Sequence, residues 1–121
     1  MSGFLQVPEN LLTGSIFSQF IVEQHSVRLD FTNEVWILTQ SLIQQNLSGG
    51  ISKTYDVEDR SSSLLLNQYL GCATSDNIDI RDERMCVRFD NGQEIVLHLP
   101  EPRIYDAITI FVDGRLEYIV R

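Results

Sequence analysis

Residues 84–99 read RMCVRFDNGQEIVLHL, and the fold class turns on how this stretch is read. Met85, Val87 and Phe89 fall at every second position on the way out, and Ile95, Leu97 and Leu99 keep the same beat on the way back. Side chains of a strand point to opposite faces in turn, so a period of two marks a sheet with one face on a core. Between the arms, Asp90-Asn91-Gly92 supplies residue types that tolerate the positive φ of a tight turn. The stretch predicts a β-hairpin whose six apolar side chains share a buried face.

The same signals extend in both directions. Downstream, Tyr105 to Val112 and Leu116 to Val120 flank Asp113-Gly114, a strong two-residue turn signal, and predict a C-terminal hairpin over 104–121. Pro100 and Pro102 separate it from the strand before, since proline cannot donate to a ladder. Upstream, Cys72 to Ile80 reads as a strand turned at Asp82-Glu83. If that hairpin closes near residues 80 and 84, Cys86 faces Ile78. Ser61-Ser62-Ser63 offers N-cap hydroxyls for a short helix through Leu64, Leu65, Leu66 and Tyr69, ended by Gly71. Residues 40–63 are the hardest to read: Ser41 to Leu47 suits a strand extension or a short helix, and Ser48-Gly49-Gly50 a loop.

Nearer the start, Ser15 to Glu23, Ser26 to Phe31 and Val35 to Thr39 read as strands, with a turn at Thr32-Asn33-Glu34. Pro8 to Thr13 suits one helical turn closed by Gly14. The prediction is therefore an α+β, β-rich chain of antiparallel hairpins, about eight strands with one or two short helices, forming a single domain over 1–121. Leu11-Leu12-Thr13-Gly14 precedes SVRLDFTNEVWIL, as Gln68-Tyr69-Leu70-Gly71 precedes MCVRFDNGQEIVL; Gly14 to Phe31 is 17 positions and Gly71 to Phe89 is 18. This is the pattern of an internal two-fold repeat, 11–47 and 64–99, although β-hairpins also resemble one another for purely physical reasons.

With 121 residues, 43% hydrophobic and 21% charged, the chain has the balance of an ordinary globular protein. No apolar run approaches the roughly 20 residues that cross a bilayer, and MSGFLQVPEN lacks the basic start and long apolar block of a secretory signal, so a cytoplasmic protein without a membrane partner is expected. A net charge of −8 argues against nucleic-acid binding, which needs a basic footprint, and suits a basic protein partner. Solubility alone also accounts for acidity of this kind. Cys72 and Cys86 are too few for a disulfide scaffold and read as small buried or half-buried thiols.

Catalytic signatures are missing from the sequence. His25 lies in a turn, and His98 is out of phase with Leu97 and Leu99, so it points away from the core face. No spacing pairs either with Cys72 or Cys86, and Asp76-Asn77-Ile78-Asp79 lacks the glycine and distal glutamate of a calcium loop. A non-enzymatic protein without metal or cofactor is expected. Two features point instead to a binding surface. Asp56, Glu58, Asp59, Asp76, Asp79, Asp82 and Glu83 gather in the middle of the chain, either as solvated turns or as an acidic face for a basic ligand. Trp36 and Leu38 take the phase opposite to Val35 and Ile37, and Val96 is likewise out of phase with Ile95 and Leu97, so both sheet faces are partly apolar, the second face covered either by the short helices or by a partner anchored on an exposed aromatic-centred patch.

The phrase Val87-x-Phe89-x-Asn91-Gly92-x-x-Ile95-x-Leu97, followed by Tyr105-Asp106, resembles small bacterial immunity proteins of polymorphic and contact-dependent growth-inhibition toxin systems. The resemblance covers the second half of the chain well and the first half loosely. It implies a protein that binds one cognate toxin domain, often a nuclease, and blocks its active or substrate-binding surface. A different expectation is a β-rich module that closes over a small molecule in a pocket lined by Phe17, Phe20, Trp36 and Phe89. An enzyme using His98 with a nearby carboxylate is a third.

Overall fold

The computed structural model describes residues 7–40, 42–47, 49–59, 62–75, 78–81, 84–99 and 108–120. The expected cap at Ser61, turn at Asp82-Glu83, break at Pro100 and Pro102 and strand start at Tyr105 lie outside these residues. The alternating segments form β1 (Phe17–Val22), β2 (Val27–Phe31), β3 (Val35–Thr39), β4 (Leu42–Asn46), β5 (Ser52–Asp56), β6 (Asp79–Arg81), β7 (Arg84–Arg88), β8 (Glu94–His98), β9 (Ile108–Val112) and β10 (Arg115–Val120). They build two antiparallel five-stranded sheets, ordered β1-β2-β3-β9-β10 and β5-β4-β8-β7-β6.

The hairpin over 84–99 is β7 and β8, with Met85 opposite Leu97 and Val87 opposite Ile95. All six of its alternating apolar side chains are buried. They join the inward side chains of the other sheet, among them Phe17, Val27, Leu29, Val35, Ile37 and Ile108, in one hydrophobic cluster. Burying one face of each sheet against the other is what stabilises such a two-layer arrangement. Phe17 from the first sheet and Phe89 from the second meet at a ring-centroid distance of 6.1 Å, and Tyr69 stacks on Phe89 at 5.0 Å.

The sequence expectation differs from the structure in three places. First, the described residues hold ten strands rather than about eight. The two beyond that count are β4 and β5; the sequence of β5, SKTYD, carries one inward apolar side chain, Tyr55, opposite Ile43, and an edge strand this polar has no hydrophobic period to detect. Residues 42–46 form β4, so the strand alternative for that segment holds. Second, of the strand expected over 72–80 only Asp79–Arg81 lies in the sheet, and Ala73 and Thr74 make isolated bridges to Ile16 and Phe89. Cys86 faces Asp79 rather than Ile78, one residue off the expected register.

Third, the helical part reduces to a 3-10 helix at Ser62–Tyr69. Before β1 the chain makes successive tight turns, Leu11 N–H to Pro8 O at 3.1 Å, Thr13 N–H to Asn10 O at 3.1 Å and Ser15 N–H to Leu12 O at 2.9 Å. The turns deliver Leu12 from the first segment, and Leu66 and Tyr69 from the second, fully into the core. Neither segment is long enough to pay the nucleation cost of an α-helix in isolation.

Where the two leaders end, they cross. Phe17 N–H donates to Cys72 O at 3.0 Å and Thr74 N–H to Ser15 O at 2.9 Å. Gly71 N–H donates to Phe17 O at 2.9 Å and Gly14 N–H to Thr74 O at 3.3 Å. Gly14 and Gly71 sit at φ of 78° and 85°, a left-handed conformation that glycine reaches without steric cost. The turn between β2 and β3 needs the same conformation but uses Glu34, at φ 65°.

These two positions predict opposite signs. Gly71→Ala meets no atom within 4 Å, yet it should lose about 1–2 kcal/mol from the backbone alone. Glu34→Gly should gain up to about 1 kcal/mol by relieving the same strain. Urea unfolding of the two variants against the parent protein measures both.

Candidate interaction surface

Each sheet has an outer face, and the strand registers define what stands on it. On the first sheet one cross-strand row runs Gln19, Asp30, Trp36, Phe111, Leu116, and the next runs Ile21, Arg28, Leu38, Thr109. Ile119, opposite Thr109, extends the second row. Ile21 and Leu116 are 39% and 52% exposed, and Trp36, Leu38, Phe111 and Ile119 are half-buried. The 3-10 helix instead puts Leu66 and Tyr69 into the core cluster. Of the two explanations for the out-of-phase apolar residues of β3, a covering helix finds no support among the described residues, which leave Ile21 and Leu116 exposed on this face.

Trp36 is held on this face by neighbours from both adjoining strands. Phe111 of β9 stacks on it with ring centroids 3.8 Å apart and planes within 7°. From β2, the Arg28 guanidinium carbon lies 4.0 Å from the indole centroid, a favourable cation–π position. Arg28 is itself fixed by Asp30, Nε to Oδ1 at 2.6 Å and Nη2 to Oδ2 at 3.2 Å. Gln19 Nε2 donates to the same carboxylate at 2.5 Å. Asp30 is buried at 8% exposure, and these donors satisfy its charge.

The outer face of the second sheet has different chemistry. Its rows run Ser52, Asn46, Glu94, Arg88 and Thr54, Gln44, Val96, Cys86, Asp79. Asn46 Nδ2 donates to Glu94 Oε1 at 2.6 Å, Ser52 Oγ to Asn46 Oδ1 at 2.7 Å, and Arg88 pairs with Glu94 at 3.2 Å. Five residues separate Asp30 from its partner Trp36, and five separate Arg88 from Glu94. The two rows are therefore counterparts in hairpin geometry, with Trp36 where the second sheet has Glu94, Phe111 where it has Asn46 and Leu116 where it has Ser52.

The described carboxylates of the expected acidic face lie at the two edges of one sheet. Asp56, Glu58 and Asp59 are exposed at the end of β5, while Asp79 lies on β6 at the opposite edge of the same sheet. Four strand spacings put the two edges about 19 Å apart. Glu58 meets His25 at 2.9 Å, and Asp79 pairs with Arg81 at 3.0 Å. Trp36 belongs to the other sheet. Asp76, Asp82 and Glu83 lie outside the described residues.

The catalytic and pocket expectations fare differently. His98 bonds to the Gln44 side-chain oxygen at 3.0 Å rather than to a carboxylate. Burial, and then the nearby Arg84 guanidinium, hold its imidazole below the ordinary histidine value. Cys72 and Cys86 are free and half-buried, and burial, followed by the Glu94 carboxylate, pushes the Cys86 thiol up, away from a reactive thiolate. Phe17 and Phe89 pack in the core and Trp36 stands on the outer face, so those three do not line one pocket with Phe20. Among the described residues no three His, Cys, Asp or Glu side chains converge on a metal position, and no helix is long and apolar enough to cross a membrane.

Arg28 and Phe111, the two side chains that hold Trp36, are not singled out from the sequence. Applying to β9 the out-of-phase reading used for β3 would have found Phe111. Arg28 carries no comparable signal, because an arginine on the polar phase of a strand is ordinary.

The direction of the His98 shift has a consequence for stability. Its folded-state pKa is depressed, so the unfolded chain takes up the proton first as pH falls. The contribution is complete above the unfolded value of about 6.5 and is lost as pH drops through the folded one. Unfolding free energy should therefore fall more steeply between pH 7.5 and 5.5 for the parent protein than for His98→Gln, as measured by urea titration at each pH.

Family models, curated proteins and solved structures were all compared with the chain, and none matches it.

Proposed function

We propose that this protein is a non-catalytic binding protein of the immunity type, which neutralises a cognate toxin domain, most simply a nuclease, by covering its active or substrate-binding surface. The observation that carries the reading is the distribution of charge. With a net charge of −8, the exposed carboxylates of the described residues outnumber the exposed cations and are spread over turns such as Glu34, Glu58, Asp59 and Asp113. A surface that binds nucleic-acid phosphates must be basic. An acidic protein competes for such a surface with long-range attraction that speeds encounter. The likeness of residues 87–97 to immunity-protein hairpins points the same way.

The scaffold reading that accompanies it is an internal two-fold repeat. Adding five to each strand number of the first sheet, and counting on from ten to one, gives β6-β7-β8-β4-β5, the order of the second sheet. The crossing bonds exchange in the same way: shifting Gly14, Ser15 and Phe17 by 57 positions gives Gly71, Cys72 and Thr74, so each bond has its counterpart. On this reading each half contributes a three-stranded meander to one sheet and a hairpin to the other. The repeat thus continues beyond 11–47 and 64–99 to include the hairpins β4-β5 and β9-β10.

The functional proposal predicts a 1:1 complex with a basic toxin domain. Its association rate constant should fall at least about tenfold between 0.05 and 0.5 M salt as screening shortens the range of attraction. Stopped-flow mixing with a catalytically inactive form of the toxin domain measures this. A rate indifferent to salt, or protection that requires turnover by this protein, contradicts the proposal.

A further inference from the structure

We infer that the partner docks on the outer face of the first sheet, with Trp36 and Phe111 at the centre of the contact, rather than on the acidic turns of the second sheet. The inference rests on the immunity reading for the identity of the partner and goes beyond it by naming the surface. Its warrant is the contrast between the two outer faces. Both sheets have five strands, and five residues separate Asp30 from Trp36 as they do Arg88 from Glu94, so the second sheet shows what a sheet of this kind accepts along that row: Ser52, Asn46, Glu94 and Arg88, linked by polar contacts. The first sheet places Leu116, Phe111 and Trp36 at the counterpart positions and leaves Ile21 and Leu116 open to water. Nothing in the sheet architecture calls for that apolar surface, and exposed apolar patches mark interaction sites.

The indole is also preorganised. Phe111 at 3.8 Å and Arg28 at 4.0 Å, with Arg28 tied to Asp30, hold it in one orientation before any partner arrives. A side chain already immobilised loses little entropy on binding, and clamped tryptophans are frequent centres of binding energy. The rim decides the partner's chemistry. Arg28 is neutralised within the face by Asp30, while Glu34 and Asp113 stand together at one end, where Asp113 N–H donates to Glu34 O at 2.9 Å, and exposed Arg115 and Glu117 flank Leu116 on β10, leaving three exposed carboxylates against one exposed guanidinium. The occupant is a protein surface with an apolar centre and a basic rim, which is the complement of this face and the character of a nuclease toxin domain. A second copy of this chain would bring the same acidic rim against itself.

Trp36 is the sole tryptophan of the chain, so 5-fluorotryptophan labelling gives one fluorine resonance that reports on this face alone. The probe is the product of the adjacent gene in an inactivated form, which the immunity reading takes to be the toxin domain, titrated into the labelled parent and, by calorimetry, into Trp36→Thr, Phe111→Thr and a charge-reversed Asp56→Lys/Glu58→Lys/Asp59→Lys variant. The expected result is a shifted fluorine resonance in the complex. Affinity should be at least about 30-fold weaker for each aromatic variant, since hot spots carry 2 kcal/mol or more. The charge-reversed variant should keep its dissociation rate and bind less than about tenfold more weakly. An unmoved resonance in a complex that still forms overturns the docking face while leaving the immunity reading intact. If the parent protein does not bind the toxin domain at all, both fall. Should the aromatic variants fail to fold, the fluorine measurement on the labelled parent protein still decides the question. Self-association of the free protein that is abolished by Trp36→Thr would assign the face to a second copy and likewise overturn the inference.

Discussion

The antiparallel crossing of residues 14–17 with 71–74 is the constraint on which the rest of the structure depends. Four backbone hydrogen bonds join the two leaders there, and two left-handed glycines turn each leader into its crossing. Because Phe17 leaves the crossing into β1 and Asp90 N–H is tied to Ala73 O at 2.8 Å, the first meander and the second start from one point. From it they diverge into separate sheets. Leu12 and Tyr69, one turn earlier, are drawn into the core. The backbone groups of an irregular segment must find partners when buried, and at this corner each leader supplies them for the other.

A consequence of the exchange is that neither half of the chain completes a sheet. The meander β1-β2-β3 is extended by β9 and β10, and the meander β6-β7-β8 by β4 and β5. Long-range pairing of this kind is slow to form because loop closure precedes the contacts that stabilise it, but once made it ties both halves of the chain into both layers. The inner faces then close on one cluster, and the outer faces are left free to differ. One is a polar network and the other an aromatic ladder held by Arg28 and Asp30. That division between a self-sufficient interior and a differing exterior is what the proposed role, occupying another protein's surface, rests on.

The sequence makes the interior legible and much of the exterior opaque, for identifiable reasons. Alternation over Met85, Val87 and Phe89 and over Ile95, Leu97 and Leu99 identifies a hairpin because every one of those side chains must face the core. The same rule finds β2, β3 and β9. It does not find β5, where Tyr55 alone faces inward, nor the register of β6, where three residues leave a one-position slip undecided. The leaders look helical because proline, serine caps and a terminal glycine serve turns and 3-10 segments as well as α-helices. Trp36 is recognisable as out of phase, yet its partners Phe111 and Arg28 come from strands 75 and 8 positions away, and only the sheet order brings them together. Of the acidic residues that cluster along the chain, the described ones divide between Asp56, Glu58 and Asp59 near β5 and Asp79 on β6, because β5 and β6 are neighbours in sequence order and opposite edges of their sheet.

The central claim is that the aromatic face is surplus to the fold. The most direct measurement is urea unfolding of a Trp36→Thr/Phe111→Thr double variant, since threonine suits a strand but removes the stack. The account predicts a single cooperative transition with an unchanged m-value and a loss of no more than about 2–3 kcal/mol, the value of a half-exposed aromatic pair and its cation contact. A variant that is unfolded, or that loses the sharp transition, would show that the sheet needs these rings for itself and would contradict the account.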